Sequence, residues 1–225
     1  AVVLAERRES DGPQMRISDA SRQHFFAGQP LADHAPIGTV ATLNAVTAAK
    51  AEAFHQRWYR PENTVIAIAG DIDPALAEQL LKDNFASWQD SGKGAEQPDF
   101  GEPDPKAPAT RVVVEPGSPT GLTMAWLRPW KPHADTIVYN QDKLTDMLAL
   151  QIVSRRLEQA ARAGGSFLAA GVDQQDISRS ADGTFITITP TGENWEKALA
   201  DVRAIIEDAK AAPPTQQEID REYAQ

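Results

Sequence analysis

A segment rich in proline and glycine divides the chain into two parts. Residues 89–109 read QDSGKGAEQPDFGEPDPKAPA and contain four prolines, three glycines and no apolar periodicity. Because proline lacks a backbone donor and glycine is conformationally free, neither a helix nor a central strand continues through such a segment. It predicts a linker between two domains, at residues 1–88 and 110–225.

The part before this linker predicts helices and one buried strand. Thr47 is a suitable N-cap for a helix that Pro61 ends, and Asp73 caps a further helix with Pro74 in its first turn. Between them, NTVIAIAGD (residues 63–71) is a short, β-rich apolar run, which is typical of a buried strand. Earlier in the chain we expect two helices, over residues 1–9 and about 14–27.

The part after the linker predicts strands and longer helices. The expected strands are TRVVVE (110–115), GLTMAWLRPW (121–130) and GTFITITP (183–190), with an extended stretch over residues 167–181. The expected helices run from about Thr136 to Ala163, from Asn194 and from Thr215. Thr215 and Glu218 form a capping box, and the apolar residues after Asn194 repeat at the helical period. Strands and helices together indicate an α+β fold.

An internal echo links the two parts. TVIAIAGDIDPALAEQLL and TFITITPTGENWEKALAD both read as strand, Asp/Asn turn and amphipathic helix, and their first residues, Thr64 and Thr184, are 120 positions apart (184 − 64). This offset indicates two similar α+β units. Strand–turn–helix is also a common arrangement, so the residues alone leave both interpretations open.

Charge and composition exclude several classes of function. The chain has 32 acidic and 22 basic residues, a formal net charge of −10. This argues against nucleic acid and anionic membrane surfaces as partners, because both bind through lysine and arginine. No apolar run approaches the roughly 20 residues of a membrane-spanning helix. The absence of cysteine excludes disulfides, thiol catalysis and cysteine-bound zinc.

No familiar catalytic motif is complete in the sequence. There is no phosphate-binding GxxxxGK[ST], no GxGxxG and no GxSxG. His24, His34, His55 and His133 never occur in HxxH, HExxH or HxxEH spacing. Each is therefore interpreted as structural or solvent-facing, with His34 the best exposed candidate. Glu6 stands near a helix end, where a glutamate is usually a solvated charge.

One continuous stretch carries a family resemblance. RWYRPENTVIAIAGDIDPALAEQLLKDNFASW (57–88) contains Tyr-x-Pro-x-Asn, an apolar run ending in Gly-Asp, and a helix closing on Phe85. It resembles the M16 family of zinc metallopeptidases, the insulinase, pitrilysin and mitochondrial-processing-peptidase group. Further matches cover nearly the whole chain: AVVLAERRESDGP (1–13), PIGT (36–39) and IVSRRLEQAARAGGSFLAAGV (152–172).

The resemblance implies a zinc site that is only partly present. Family members bind Zn²⁺ through two histidines of an HxxEH motif and a glutamate on a later helix, and the glutamate of HxxEH activates the zinc-bound water. Mapped onto this sequence, Glu6 is the third ligand. Because HxxEH is absent from all 225 residues, we expect it upstream of Ala1. The chain is then the later part of a longer protein and does not hydrolyse peptides by itself.

The resemblance also implies an architecture and partners. It predicts two similar units, each a mostly antiparallel sheet with helices packed on one face, the first incomplete at its N-terminus. Residues 110–225 become the second, non-zinc domain, which forms a chamber wall. The implied partners are a peptide or unfolded protein substrate and the remaining M16 domains of the same or a partner chain. The implied compartment is the periplasm.

Three hypotheses follow for the function. The first is part of an active zinc endopeptidase, which retention of Glu6 favours. The second is a non-catalytic M16-like subunit that acts as a binding or scaffold protein. The third is an unrelated α+β module for a small ligand, which predicts that the chain does not superpose on M16 domains.

Overall fold

A computed structural model describes residues 2–89, 92–104 and 109–224. Its contacts divide the chain into two compact units. Unit 1 comprises Ala1–Arg7 and Ile37–Asp99, and unit 2 comprises Arg8–Pro36 and Phe100–Gln225. Residues 90, 91 and 105–108 of the predicted linker lie outside the described residues. The predicted domain limits, 1–88 and 110–225, stay a prediction.

Helices dominate the chain. The described residues form eight α-helices: α1 (Val2–Glu9), α2 (Pro13–Phe25), α3 (Val40–Ala45), α4 (Ala48–Trp58), α5 (Pro74–Phe85), α6 (Ile137–Arg162), α7 (Trp195–Ala211) and α8 (Gln216–Tyr223). Short 3₁₀ helices cover Pro30–Ala32 and Pro61–Asn63. The strands assigned are β1 (Leu122–Arg128), β2 (Phe167–Ile177) and β3 (Ala181–Pro190). Among the described residues, none of the helices combines the length and the hydropathy that a membrane span requires.

Side-chain caps fix where several helices begin. The Thr47 hydroxyl accepts the Lys50 backbone N–H at 3.2 Å at the start of α4. The Asp73 carboxylate accepts the Ala75 N–H at 2.7 Å at the start of α5. Thr215 opens α8 in a capping box. These caps satisfy N–H groups that have no partner within the helix, and they confirm the helix starts predicted from the sequence.

Unit 2 contains a three-stranded antiparallel sheet in the order β1-β3-β2. Ile186 of β3 lies opposite Met124 of β1 and Val172 of β2. Strands β1 and β3 confirm the strands expected within residues 121–130 and 183–190. Strand β2 confirms the extended stretch expected over residues 167–181 as far as Ile177, but residues 178–180 form a turn. The α+β class and the antiparallel sheet are therefore confirmed.

Helices α6 and α7 cover one face of this sheet. Leu157 of α6 and Val202 of α7 are fully buried in one cluster with Ile186 and Ile188 of β3. Their burial follows from the helical period of apolar residues on α6 and α7 and from the alternation along β3. This cluster is the main core of unit 2.

The free side of β2 is closed by a serine of α6. The Ser154 hydroxyl lies 3.2 Å from both the backbone N and the backbone O of Val172, so it accepts from one and donates to the other. These backbone groups would otherwise be an open edge. The long helix thus protects β2 from pairing with another strand at this position.

Two ion pairs fasten α8 to α6. Arg156 donates from Nε and Nη2 to the Glu218 carboxylate at 2.7 and 3.0 Å, and Arg155 donates from Nε to Glu222 at 3.1 Å. The Arg156 hydrogen bonds are the largest cause that lowers the pKa of Glu218 to about 2. The same hydrogen bonds to Glu218 raise the pKa of Arg156. The last helix is therefore held to α6 by charge.

Helix α2 packs within unit 2 through aromatic residues. The rings of Phe25 and Phe185 meet edge to face, with centroids 6.1 Å apart. Gln29 is buried and donates its amide N–H to the Ser180 carbonyl at 2.8 Å. Arg16 of α2 forms a bidentate pair with Glu115 at 2.8 and 2.9 Å, which lowers the pKa of Glu115.

Two strands predicted from the sequence are not formed. Residues 63–71 contain no assigned strand, and Val65 is 94% exposed. Residues 110–115 are also unassigned, and Val112 is 80% exposed. The physical reason is that a strand needs backbone partners. No described strand pairs with residues 63–71, and residues 110–115 are held at their ends by Arg111 to Ala20 O and by Glu115 to Arg16.

The internal echo is therefore only partly reproduced. Both halves place an Asp/Asn-capped helix, α5 and α7, after the matching segments. The preceding segment is a paired strand, β3, in the second half and an unpaired apolar stretch in the first.

Candidate metal-binding site

Glu6 lies on helix α1, and its position on the helix is informative. Leu4 and Arg7 are half-buried, whereas Val2 is 81% exposed and Val3 and Glu6 are exposed. Residues three and four apart share a helix face, so Val2, Val3 and Glu6 lie together. The predicted ligand is thus on an exposed face that is partly apolar.

This arrangement does not make a metal site by itself. The part of the chain that the structure describes contains no group of three or more His, Asp or Glu side chains able to hold a metal ion. Zinc needs three protein ligands even in an open catalytic site. The described residues therefore do not fit a complete zinc site, and the role of Glu6 stays a prediction.

The histidines serve as ring partners or surface residues. The His24 ring lies 5.6 Å from Phe25, and the His55 ring stacks on Tyr59 at 4.8 Å. His34 is exposed in the loop after the first 3₁₀ helix.

The Tyr-x-Pro-x-Asn motif folds into a tight local structure. Pro61 begins the second 3₁₀ helix, and the Asn63 amide donates to the Trp58 carbonyl at 3.3 Å. Arg60, which immediately precedes Pro61, is buried. Its side chain donates to the Gly92 carbonyl at 3.1 Å and forms an ion pair with Glu62. The motif thus ends α4 and secures the following loop, which is a structural role.

Sequence reasoning missed one group of side chains in unit 2. Trp130, His133 and Tyr139 form a row of rings beside the turn between β2 and β3. The string RPWKPH gave a signal, because an aromatic residue between prolines is poorly placed for a core. Its partner Arg179 is far along the chain and could not be found by spacing.

Comparison with known proteins assigns the family. The family described as Peptidase M16 inactive domain matches residues 45–225. Since the match covers most of the chain, the protein belongs to the M16 peptidase family. The resemblance seen in the sequence is confirmed, and the hypothesis of an unrelated small-ligand module is wrong.

Curated relatives in this family are named as zinc proteases. The chain is 38% identical over 85 residues to the probable zinc protease PqqL of Escherichia coli strain K12, covering 38% of this chain and 9% of that protein. It is 31% identical over 98 residues to an uncharacterized zinc protease of Mycobacterium leprae strain TN, covering 43% of this chain and 22% of that protein. The chain therefore spans a minor part of these relatives.

Solved structures agree on the fold. The crystal structure of the first half of the periplasmic protease PqqL from Escherichia coli matches with a TM-score of 0.76 and 20% identity, covering 98% of this chain and 47% of that chain. A protease from Helicobacter pylori matches with a TM-score of 0.72 and 18% identity, covering 98% of this chain and 54% of that one. At these identities the likeness concerns the fold alone.

Proposed function

We propose that this chain is part of a zinc-dependent endopeptidase and contributes Glu6 as one zinc ligand. The two histidines and the general base would come from an HxxEH motif in a preceding segment of the same protein. The observation that carries the proposal is membership of a peptidase family whose curated relatives are named zinc proteases.

The face of α1 supports the role given to Glu6. Glu6 shares its face with the exposed Val2 and Val3 on its N-terminal side. Apolar side chains gain about 25 cal/mol per Å² when covered, so a further segment packing there would be stabilised and would meet the carboxylate. A carboxylate oxygen is one of the ligand types that zinc accepts.

The remaining parts have supporting roles in this proposal. Residues 110–225, with the β1-β3-β2 sheet, act as the non-zinc domain and wall of a substrate chamber. The substrates are peptides or unfolded protein, and further M16 domains of the same or a partner chain complete the enzyme. The relative PqqL is described as a periplasmic protease, which supports the periplasm as the compartment.

A second candidate is a non-catalytic M16 subunit that binds polypeptide or acts as a scaffold. The observation that favours it is the family match itself, because the inactive-domain description extends over residues 45–225. Under this alternative the zinc ligands outside these residues are replaced.

One experiment separates the two candidates. The protein is produced with the residues encoded before Ala1, and cleavage of an internally quenched fluorescent peptide is measured with and without a zinc chelator. The first candidate predicts cleavage that the chelator abolishes and added zinc restores. Absence of cleavage, in a folded protein that retains peptide binding, would support the non-catalytic subunit instead.

A further inference from the structure

Three aromatic rings form a row at one end of the sheet in unit 2. The His133 and Tyr139 centroids are 4.1 Å apart, and the Trp130 and His133 centroids are 6.4 Å apart. The Tyr139 hydroxyl is hydrogen-bonded to Nε2 of His133. His133 is exposed, while Trp130 and Tyr139 are half-buried. The row is therefore anchored on one side and open to solvent on the other.

A cation lies over the ring at each end of this row. The Arg179 guanidinium is 5.7 Å from the Trp130 ring centroid, and the Lys143 ammonium is 5.3 Å from that of Tyr139. Each is within the range of a cation–π interaction. Neither cation is ion-paired with a carboxylate anywhere in residues 2–89, 92–104 or 109–224. Unpaired cations are notable in a chain whose net charge is −10.

Two of the nearby acidic groups, Asp176 and Asp135, are already engaged. Asp176 accepts the Trp130 indole N–H at 2.6 Å and the Arg179 backbone N–H at 3.0 Å, so each of its oxygens has a donor. Asp135 accepts the Asn140 amide at 2.7 Å. These bonds position the indole and the turn without neutralising the Arg179 guanidinium or the Lys143 ammonium.

A hydrogen-bonded turn holds Arg179 in a strained backbone conformation. Ser178 and Arg179 have φ of 51° and 59°, and the Ser180 N–H closes the turn on the Ile177 carbonyl at 2.8 Å. Two successive positive φ values are the pattern of a type I′ turn, which asparagine and glycine normally occupy. An arginine at this position is unfavourable for the turn, and such strain is concentrated at functional sites.

We propose that the row of Trp130, His133 and Tyr139 with Arg179 and Lys143 binds acidic, aromatic-containing segments of extended polypeptide. The rings offer stacking surfaces, and the two cations offer charge-assisted contacts to carboxylates. Nucleic acid is a poorer occupant, because it carries a phosphate charge at every nucleotide and a chain of net charge −10 repels it more strongly than a segment with a few carboxylates. The inference deepens the proposed function, on which it rests for the peptide nature of the ligand.

The test measures binding to the 225-residue chain, without zinc or cleavage, so its outcome is independent of the peptidase assay. The probe is a short peptide of glutamate and phenylalanine separated by serine, carrying an uncharged dye, and the readout is fluorescence anisotropy. We expect saturable binding that weakens as salt is raised. Replacing both cations, in Arg179→Gln with Lys143→Gln, should weaken it about tenfold.

Matched controls separate a site from net charge. Arg162→Gln with Lys210→Gln removes one arginine and one lysine at other exposed positions and should leave the affinity within about twofold. A peptide with lysine in place of each glutamate should not bind. Equal loss in both double variants, equal binding of the lysine peptide, or tighter binding of single-stranded oligothymidylate would each overturn the proposal.

The strained turn allows a second test, in which stability and peptide affinity should change in opposite directions. Arg179→Gly removes one cation and also relieves the positive φ, so the melting temperature should rise by about 2–4 °C while peptide affinity falls about threefold. A melting temperature that falls together with an unchanged peptide affinity would assign Arg179 to stability and contradict a binding role.

Discussion

The attachment of α8 to α6 leads to a quantitative prediction for Glu218→Gln. The pKa of Glu218 is lowered from 4.5 to about 2, with the Arg156 hydrogen bonds as the largest cause. At about 1.4 kcal/mol per pKa unit, this shift of roughly 2.5 units sets an upper limit of about 3.4 kcal/mol. The side chains of Arg156 and Glu218 are 22% and 26% exposed. Screening by water therefore reduces the expected loss to about 1.5 kcal/mol.

The dependence on pH follows from the direction of the shift. A carboxyl group whose pKa is lowered by folding stabilises the native state above its unfolded pKa. That stability is lost as the pH falls from about 4.5 to about 2. The difference between wild type and Glu218→Gln should thus be full at pH 7 and disappear near pH 2. Glutamine keeps an oxygen that can accept the Thr215 N–H, so the capping box is preserved.

The assay is hydrogen exchange of the α8 amides combined with thermal unfolding. We expect faster exchange in α8 and a melting temperature about 3–6 °C lower at pH 7. The control is Glu207→Gln, whose partner Lys210 is exposed, and it should change stability by less than about 0.5 kcal/mol. An unchanged Glu218→Gln protein at pH 7, or a difference that persists at pH 2, would refute the reasoning.

Three further predictions follow from local geometry. A Cβ on Gly183 would lie 2.4 Å from the Phe185 ring, whereas none of the atoms around Gly171 is within 4 Å. Gly183→Ala should therefore cost about 1–3 kcal/mol in urea unfolding, and Gly171→Ala should be nearly neutral. Asp73→Ala removes the cap of α5 and should lower helix content and stability by about 1 kcal/mol, and an unchanged far-ultraviolet spectrum and unfolding midpoint would contradict this role. Arg60→Met leaves the Gly92 carbonyl without this donor and should cost about 2 kcal/mol, measured by the urea midpoint, and a midpoint equal to that of wild type would contradict it.

The helices were predictable because their signals are local. Thr47, Asp73 and Thr215 each mark a helix start within a few residues of the N–H groups that they satisfy. Strand β3 was predictable from its alternation of apolar and polar residues. These signals lie within each helix or strand, as a capping residue or a repeat of apolar positions, and need no distant partner.

The two strand predictions that failed depend on distant partners and not on local signals. Residues 63–71 and 110–115 have the composition of strands, but a strand forms only where a neighbour supplies backbone partners. Residues 110–115 are instead tied to α2 by Arg111 and Glu115. Composition alone could not show that competition between backbone pairing and side-chain contacts.

The candidate sites differ in how far sequence could reach them. Glu6 was found only through resemblance, because its spacing to other ligand types carries no information. The ring row could be suspected from Trp130 and His133, which are close in sequence. Its cation Arg179 comes from a turn 49 residues beyond Trp130 (179 − 130), and the pairing of β1 with β3 brings the end of β1 beside this turn.

The most direct test of the central claim is the zinc content of the protein produced with the residues encoded before Ala1. Metal is measured by mass spectrometry after dialysis for wild type, Glu6→Gln and the control Glu9→Gln, which alters the same exposed helix. We predict that wild type and Glu9→Gln retain one zinc ion per molecule and that Glu6→Gln loses it. Full zinc retention in Glu6→Gln would contradict the assignment of Glu6 as a ligand.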